Sequence, residues 1–150
     1  MKIGYISYLL LFLLLALLVS VHIKSCKDSQ KEAEDNFNNF CNSQKFKNII
    51  LSSFENYDVK KEITDERLIS KISKLIKNAN NNPLKKAKLY DISIEIVFFD
   101  ESNKSYKFEI YKDKKNTLTH IIFVSKYKSL VFSTNDNENI IDEINLYLNH

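Results

Sequence analysis

The chain has 150 residues, with 22 basic and 19 acidic side chains and a formal net charge of +3. This balance is too close to neutral for a nucleic-acid-binding domain, and Arg67 is the only arginine available for bidentate phosphate contacts. The single glycine, Gly4, lies in an apolar N-terminal run. Glycine-rich phosphate loops, dinucleotide fingerprints and nucleophile elbows are therefore excluded downstream, because each needs glycine where the backbone turns tightly.

The N-terminal run, residues 3–23, has no charged side chain between Lys2 and His22. About 20 apolar residues are enough to cross a bilayer as a helix. A cleaved secretory signal is the alternative, but the small residues of a cleavage site are missing around Ser20. The sequence therefore predicts a single-pass signal anchor at 3–23, with the membrane as a partner of this segment.

The charges that flank this segment give two answers about its orientation. Lys2 precedes it and Lys24, Lys27 and Lys31 follow it, which favours a cytoplasmic C-terminal part. A short N-terminal head that carries one lysine is instead typical of anchors that send the following domain across the membrane. We expect the second arrangement, with the domain in the periplasm or on the cell surface.

Residues 24–46 predict a juxtamembrane amphipathic helix, because Ala33, Phe37, Phe40 and Cys41 form one apolar stripe. In a continuous helix Cys26 and Cys41 lie about 22 Å apart, at 1.5 Å per residue. A disulfide tolerates only about 4.4–6.8 Å between Cα atoms. Two free thiols are expected, and the alternative is a Cys26–Cys26 bridge within a homodimer in an oxidising compartment.

Residues 47–150 predict one small α+β domain. Segments 47–57 and 59–63 are expected to form a strand or a strand pair. A helix follows, with the Thr64 hydroxyl as its N-cap and its end before Pro83. The apolar residues of this helix recur on one face, which comprises Leu68, Ile69, Ile72, Leu75, Ile76 and Ala79.

The second half of the domain predicts an antiparallel meander of four or five strands. Alternating apolar residues place the four strands at 91–99, 106–111, 119–124 and 129–133. Asn103 is expected to replace glycine at a positive φ in the first turn. Asn135 or Asp136 caps a last helix whose core face is Ile140, Ile141, Ile144, Tyr147 and Leu148. Helices at both ends of the meander cover one face of the sheet.

This order of elements resembles the YhfM-like module of bacterial envelope lipoproteins, over about residues 48–150. The residues that carry the resemblance are Ile63–Asp65 with Ile69, Ile72 and Ile76, then Tyr90–Ile94, Tyr106–Tyr111 and Ile140–Leu148. The resemblance implies a tethered envelope domain and transfers no functional residues. The chain departs from that module in having no lipobox before Cys26 and in carrying the added segment 24–46.

No catalytic, metal or cofactor site is predicted, because the three histidines, His22, His120 and His150, have no ligand spacing. The carboxylate pairs are expected to be solvated surface; they are Asp100 with Glu101 and Glu95 with Glu109. The alternative is a small hydrolase that acts on envelope material, with His120 and either Glu95 or Glu109 in a cleft.

Four aromatic residues are expected on or near the second face of the sheet: Phe99, Tyr111, Tyr127 and Tyr90. Tyrosine and phenylalanine are enriched at protein interfaces, so these residues are the candidate partner-binding site; the competing interpretation is that they cover a thin core. The sequence therefore predicts a membrane-tethered, extracytoplasmic protein-interaction domain of the cell envelope, either an accessory subunit or an immunity or exclusion protein. A cleaved, secreted protein is a further alternative.

Overall fold

The computed structural model describes residues 3–53, 59–81, 92–112, 118–126, 128–135 and 139–149. Its first element is helix α1, Ile3–Asn42, which is continuous over 40 residues and therefore about 60 Å long. The apolar side chains of its N-terminal half are exposed, with Phe12 70% and Leu17 64% accessible. This part of α1 is long and apolar enough to cross a membrane, and a signal sequence has the same character.

The C-terminal turns of α1 pack on the rest of the chain. Ala33 and Phe40 are fully buried, and Phe37 and Cys41 are half-buried against the core. The apolar stripe expected in the segment 24–46 is therefore present. It belongs to the same unbroken helix as the apolar segment.

The sheet contains six strands and a two-residue strand at one edge, all paired antiparallel. The strands are β1 Phe46–Ser53, β2 Lys60–Ile63, β3 Asn80–Asn81, β4 Ile92–Asp100, β5 Ser105–Lys112, β6 Leu118–Val124 and β7 Leu130–Asn135. Their order across the sheet is β2-β1-β4-β5-β6-β7-β3. The predicted meander is confirmed as β4 to β7. The predicted strand number was too low, because β1 pairs with β4 and extends the sheet through β2.

Helix α2 comprises Glu66–Lys77, and its N-cap lies one residue later than the predicted N-cap, Thr64. Asp65 is the N-cap, and its carboxylate accepts a hydrogen bond from the Arg67 amide at 2.9 Å. The prediction of Thr64 as the cap was wrong, since Asp65 has the extended backbone of a cap residue and carries the accepting oxygen. The core face of α2 is confirmed by its buried residues Ile69, Ile72, Leu75 and Ile76, but Ala79 was wrongly included because the helix ends at Lys77.

Helix α3, Ile140–Asn149, starts after Asn139, which has a φ of 54°. The carbonyl of Asn139 accepts a hydrogen bond from the Glu143 amide at 3.1 Å. Of the two predicted caps, Asn135 is wrong because it ends β7, and Asp136 lies outside the described residues. Tyr147 was also wrongly placed in the core, since it is 47% exposed. The Lys61 ammonium lies 5.2 Å from the centre of its ring.

The described elements form two layers, with α1, α2 and α3 on one face of the sheet. A single apolar core fills the space between the layers, and α1 contributes Phe40, α2 contributes Ile72 and α3 contributes Ile141. The positive φ expected at Asn103 in the β4–β5 turn is confirmed at 61°. The domain is therefore α+β, and the described helices cover one face of its sheet.

Candidate partner-binding face

The surface that faces away from the three helices is called here the open face. Side chains alternate along each strand, so the residues between the buried core positions point to this side. The register places eleven half-buried residues of this face side by side on neighbouring strands; they are Ile50, Glu95, Val97, Phe99, Lys107, Glu109, Tyr111, His120, Ile122, Val124 and Val131. In the part of the chain that the structure describes, no helix covers them.

The centre of the open face is charged. Glu95 of β4 lies directly opposite Glu109 of β5. The Lys107 ammonium forms an ion pair with Glu95 at 2.5 Å, and the Tyr111 hydroxyl donates a hydrogen bond to Glu109 at 3.0 Å. Like charges opposite one another destabilise a strand pair, and these two neighbours offset that repulsion. The two carboxylates thus have structural partners on the surface.

Apolar residues lie on both sides of this charged centre. On one side Ile50 of β1 is opposite Val97 of β4. On the other side Ile122 of β6 is opposite Val131 of β7, and Val124 lies two residues further along β6. Sequence reasoning did not nominate these aliphatic residues as site candidates. The period-two alternation of β4 and β6 is the signal that identifies them.

Of the four aromatic residues expected to form the site, the two that the structure describes are not brought together. Phe99 of β4 and Tyr111 of β5 both lie on the open face, but Phe99 pairs with Ser105 at one end of the β4–β5 strand pair and Tyr111 pairs with Ser93 near the other end. Six residues of strand separate the two positions, which is about 20 Å. Tyr90 and Tyr127 lie outside the described residues. Phe99 and Tyr111 therefore mark two ends of one face, and the aliphatic residues lie between them.

His120 also lies on the open face, opposite Tyr111 of β5 and Ser133 of β7. Glu109 is its diagonal neighbour, whereas Glu95 lies two strands away. A histidine and a carboxylate within diagonal reach is the arrangement that the hydrolase alternative requires. Its surroundings are a sheet surface, whereas catalytic groups usually lie in a concave pocket.

Two grooves flank the C-terminal end of α1, and neither is lined by His120. One has a volume of about 210 Å³ and lies between β1 and α2, beside Phe46 and Ile69. The other, of about 240 Å³, lies between Asn36 of α1 and the β5–β6 end of the sheet. Among the described residues, no three His, Cys, Asp or Glu side chains are close enough together to hold a metal ion.

The two cysteines have different environments on α1. Cys41 is half-buried; burial raises the pKa of its thiol, and the nearby Lys77 ammonium partly offsets this rise in pKa. Cys26 is exposed, with its sulfur 3.8 Å from Nε2 of His22. It lies seven residues before the buried Ala33, which is about two helical turns and therefore the same face of α1. A Cys26–Cys26 bridge stays a prediction. To form it, a second chain would have to approach α1 on the face that, two turns later, packs against the domain.

Among the described residues, the carboxylate that accepts the largest number of hydrogen bonds is that of Asp100, in the β4–β5 turn. It accepts hydrogen bonds from the Ser102 hydroxyl at 2.7 Å, from the Ser102 and Lys104 amides at 2.9 Å, and from the Tyr106 hydroxyl at 3.2 Å. These bonds, that from the Ser102 hydroxyl above all, hold the pKa of Asp100 below its ordinary value. Burial raises the pKa of Tyr106. Asp100 therefore fixes the turn in its ionised form.

Comparison of the chain with protein-family models, with curated proteins and with solved structures gives no match. The molecule has an α+β fold, the long apolar helix α1 and a sheet face over which the described residues place no helix.

Proposed function

We propose that the protein is a single-pass membrane protein whose domain lies on the extracytoplasmic side and binds another protein of the cell envelope through the open face. The observation that carries the proposal is the asymmetry of the sheet. One face is covered by three helices, while the other presents Ile50, Val97, Ile122 and Val131 with no described helix over them. The identity of the partner decides whether the domain acts as an accessory subunit or as an immunity or exclusion protein.

The membrane anchor is supported by the length and exposure of the first part of α1. As a helix, residues 3–23 rise about 31 Å, close to the roughly 30 Å of a bilayer's hydrocarbon core. Leucine side chains such as Leu10 and Leu17 are more than half exposed. Hydration of so much apolar surface is unfavourable, by about 1.5–3 kcal/mol for each large side chain. In a bilayer these side chains would contact lipid tails and would not be hydrated. The domain does not cover them, so without a bilayer they remain exposed to water.

The open face suits a protein partner because it combines apolar area with a charged centre. The aliphatic residues on either side of Glu95 and Glu109 offer area to bury, and rigid aromatic rings at the two ends, Phe99 and Tyr111, extend it. Charged groups at an interface contribute more to specificity and association rate than to affinity. A partner with a basic or hydrogen-bond-donating centre fits this arrangement.

The extracytoplasmic side is supported by the preference of a short lysine-bearing head for the cytoplasm. The resemblance to YhfM-like envelope modules points to the same compartment. The absence of glycine-rich phosphate loops and the flat surroundings of His120 favour binding over catalysis.

Photo-crosslinking in intact cells tests the proposal. A benzophenone amino acid replaces Val97 or Ile122 in the full chain, and as a control it replaces Lys74, which is exposed on α2. We expect one protein adduct of constant mass from both open-face positions and none from Lys74. Introducing Ile122→Lys into the chain that carries the probe at Val97 should remove the adduct, while the thermal unfolding midpoint and membrane retention stay the same. An equal adduct from Lys74, or an adduct that survives Ile122→Lys, would contradict binding through this face.

A further inference from the structure

The β4–β5 turn contains a sequence pattern that the proposed binding face does not use. Asn103, Lys104 and Ser105 match Asn-x-Ser/Thr with a residue other than proline in the middle, which is the acceptor pattern for N-linked glycosylation. No other asparagine of the chain has serine or threonine two positions later. The pattern is short, so it indicates a modified residue only where the asparagine is exposed on a domain outside the cytoplasm. Asn103 meets the first of these conditions.

Asn103 lies at the corner of the turn, and all of residues 101–105 are exposed. Its φ is 61°, and its backbone amide donates a hydrogen bond to the Asp100 carbonyl at 3.0 Å. In the part of the chain that the structure describes, the side-chain carboxamide of Asn103 has no hydrogen-bond partner. Nδ2 of Asn103 can therefore react without the loss of any contact that holds the turn.

The two hydroxyls of the turn differ in the same respect. The Ser102 hydroxyl donates to the Asp100 carboxylate at 2.7 Å, and Asp100 also accepts from the Lys104 amide at 2.9 Å. Ser105, whose hydroxyl the pattern requires, is exposed at the start of β5, and the described residues give that hydroxyl no hydrogen-bond partner. Asp100 thus holds the turn in one shape, while the hydroxyl that a transferase must recognise stays available.

The turn also lies clear of the bilayer if α1 crosses the membrane as proposed above. The Lys104 ammonium contacts the side-chain oxygen of Asn36 at 3.4 Å. Asn36 is thirteen residues beyond Ile23, which is about 20 Å along the helix. The headgroup layer extends only about 5–7 Å beyond the hydrocarbon core. A chain of several sugars therefore fits at the turn without entering the membrane.

We infer that Asn103 is a site of N-linked glycosylation on the extracytoplasmic side of the membrane. The donor is a sugar joined through its C1 to a lipid pyrophosphate, and a membrane-bound oligosaccharyltransferase of the same cell catalyses the transfer. A bond forms between Nδ2 of Asn103 and C1, the bond from C1 to the pyrophosphate oxygen breaks, the carboxamide loses one proton and the lipid pyrophosphate leaves. Bacterial enzymes of this class also read an acidic side chain two residues before the asparagine, and the exposed Glu101 occupies that position. The inference rests on the proposed location of the domain.

A glycan at Asn103 would lie at one end of the open face. Phe99 is opposite Ser105, so the Phe99 end of the face is next to the turn, and Tyr111 is about 20 Å away. Because a glycan is bulky and hydrophilic, it would restrict the approach of a partner at the Phe99 end and leave the Tyr111 end accessible.

Mass spectrometry of the full chain, isolated from the membranes of the cells that make it, tests the inference. We expect the peptide that contains Asn103 to carry a glycan. Ser105→Ala, expressed in the same cells, should abolish the modification, and Ser105→Thr should retain it, because threonine also supplies the hydroxyl. Ser102→Ala is the matched control, since it removes a hydroxyl from the same turn outside the pattern, and it should stay glycosylated.

A membrane-impermeant, amine-reactive biotin, added to the same intact cells, reports the location of the domain through exposed lysines such as Lys74. Unmodified Asn103 in a protein that is biotinylated without lysis, or a glycan at Asn103 that survives Ser105→Ala, would overturn the inference alone. Unmodified Asn103 in a protein that is biotinylated only after lysis would contradict the proposed location as well.

Discussion

Phe37 of α1 stacks on Phe132 of β7, with ring centroids 4.3 Å apart and planes inclined by 21°. One turn later, Phe40 packs against Phe46 and Phe98 at 5.0 and 5.1 Å. The helix that carries the apolar segment therefore also fills the core of the domain. Because no break interrupts α1 between these two parts, the orientation of the apolar segment sets the orientation of the sheet.

Removing the Phe40 ring should destabilise the domain strongly. The ring is fully buried, and truncation of buried phenylalanine to alanine lowers the free energy of unfolding by about 3–5 kcal/mol. Phe12→Ala is the matched control, since Phe12 lies on the same helix but is 70% exposed. Urea unfolding of the full chain in detergent, followed by the tyrosine circular dichroism signal, measures both. Equal loss from the two variants, or none from Phe40→Ala, would show that α1 is not part of the core.

Two ion pairs that the described residues form with α3 should differ in their effect on stability. Lys112 is buried, and its ammonium is 2.8 Å from the Asp142 carboxylate, which is 43% exposed. Asp142→Ala should lower the free energy of unfolding by about 1.5–3 kcal/mol, because a buried charge loses a hydrogen-bonded partner. Lys71 and Glu143 form an exposed pair at 3.7 Å, so Glu143→Ala should cost less than about 1 kcal/mol. The same urea titrations measure both changes in the free energy of unfolding. A larger loss of stability from Glu143→Ala than from Asp142→Ala would contradict the greater contribution expected of the Lys112–Asp142 pair.

Asp100 should make stability dependent on pH in the acid range. Its pKa is lowered in the folded chain, chiefly by the Ser102 hydroxyl, below the ordinary 3.8. The ionised carboxylate therefore contributes its full stabilisation above pH 3.8, and this contribution is lost as the pH falls through the lower folded value. Asp100→Asn should lower the thermal midpoint at neutral pH, and the difference should shrink below pH 3.8. A difference that stays constant through that range would contradict this account.

The two thiols should react at different rates in the folded chain. Cys26 is exposed, whereas Cys41 is half-buried with a raised pKa, so less of its thiolate is available at a given pH. Timed alkylation in detergent, read by mass spectrometry of peptides, should modify Cys26 several-fold faster. Urea should bring the two rates together. If Cys41 reacts as fast as Cys26 before urea is added, Cys41 is not buried against the core.

A non-reducing gel of the same sample tests the Cys26–Cys26 bridge.

Local patterns were enough to predict α2, α3 and the meander. The strict alternation of Ile94, Ile96 and Phe98 identified β4, and these side chains are fully buried. The pairing of β1 with β4 was missed, because some forty residues separate them and no local signal specifies a long-range register. The cap of α2 was misassigned to Thr64, since Thr64 and Asp65 both have cap side chains and only the backbone distinguishes them.

The candidate site was only partly predictable. Phe99 and Tyr111 were expected together because both are aromatic and lie outside the core stripe. The register separates them by the length of β4. The packing of Phe37 and Phe40 into the sheet was not expected, since an amphipathic stripe shows that a helix face is covered without showing what covers it.

The most direct test of the membrane-tethered domain is the labelling of one exposed cysteine in intact cells. Glu101→Cys, in the β4–β5 turn, is introduced into the full chain with Cys26→Ser and Cys41→Ser, and a membrane-impermeant maleimide is added. We predict that the protein stays in alkaline-washed membranes and is labelled without lysis, while a cytoplasmic control protein is not. Labelling only after lysis would place the domain in the cytoplasm, and release into the soluble fraction would show that α1 does not anchor it.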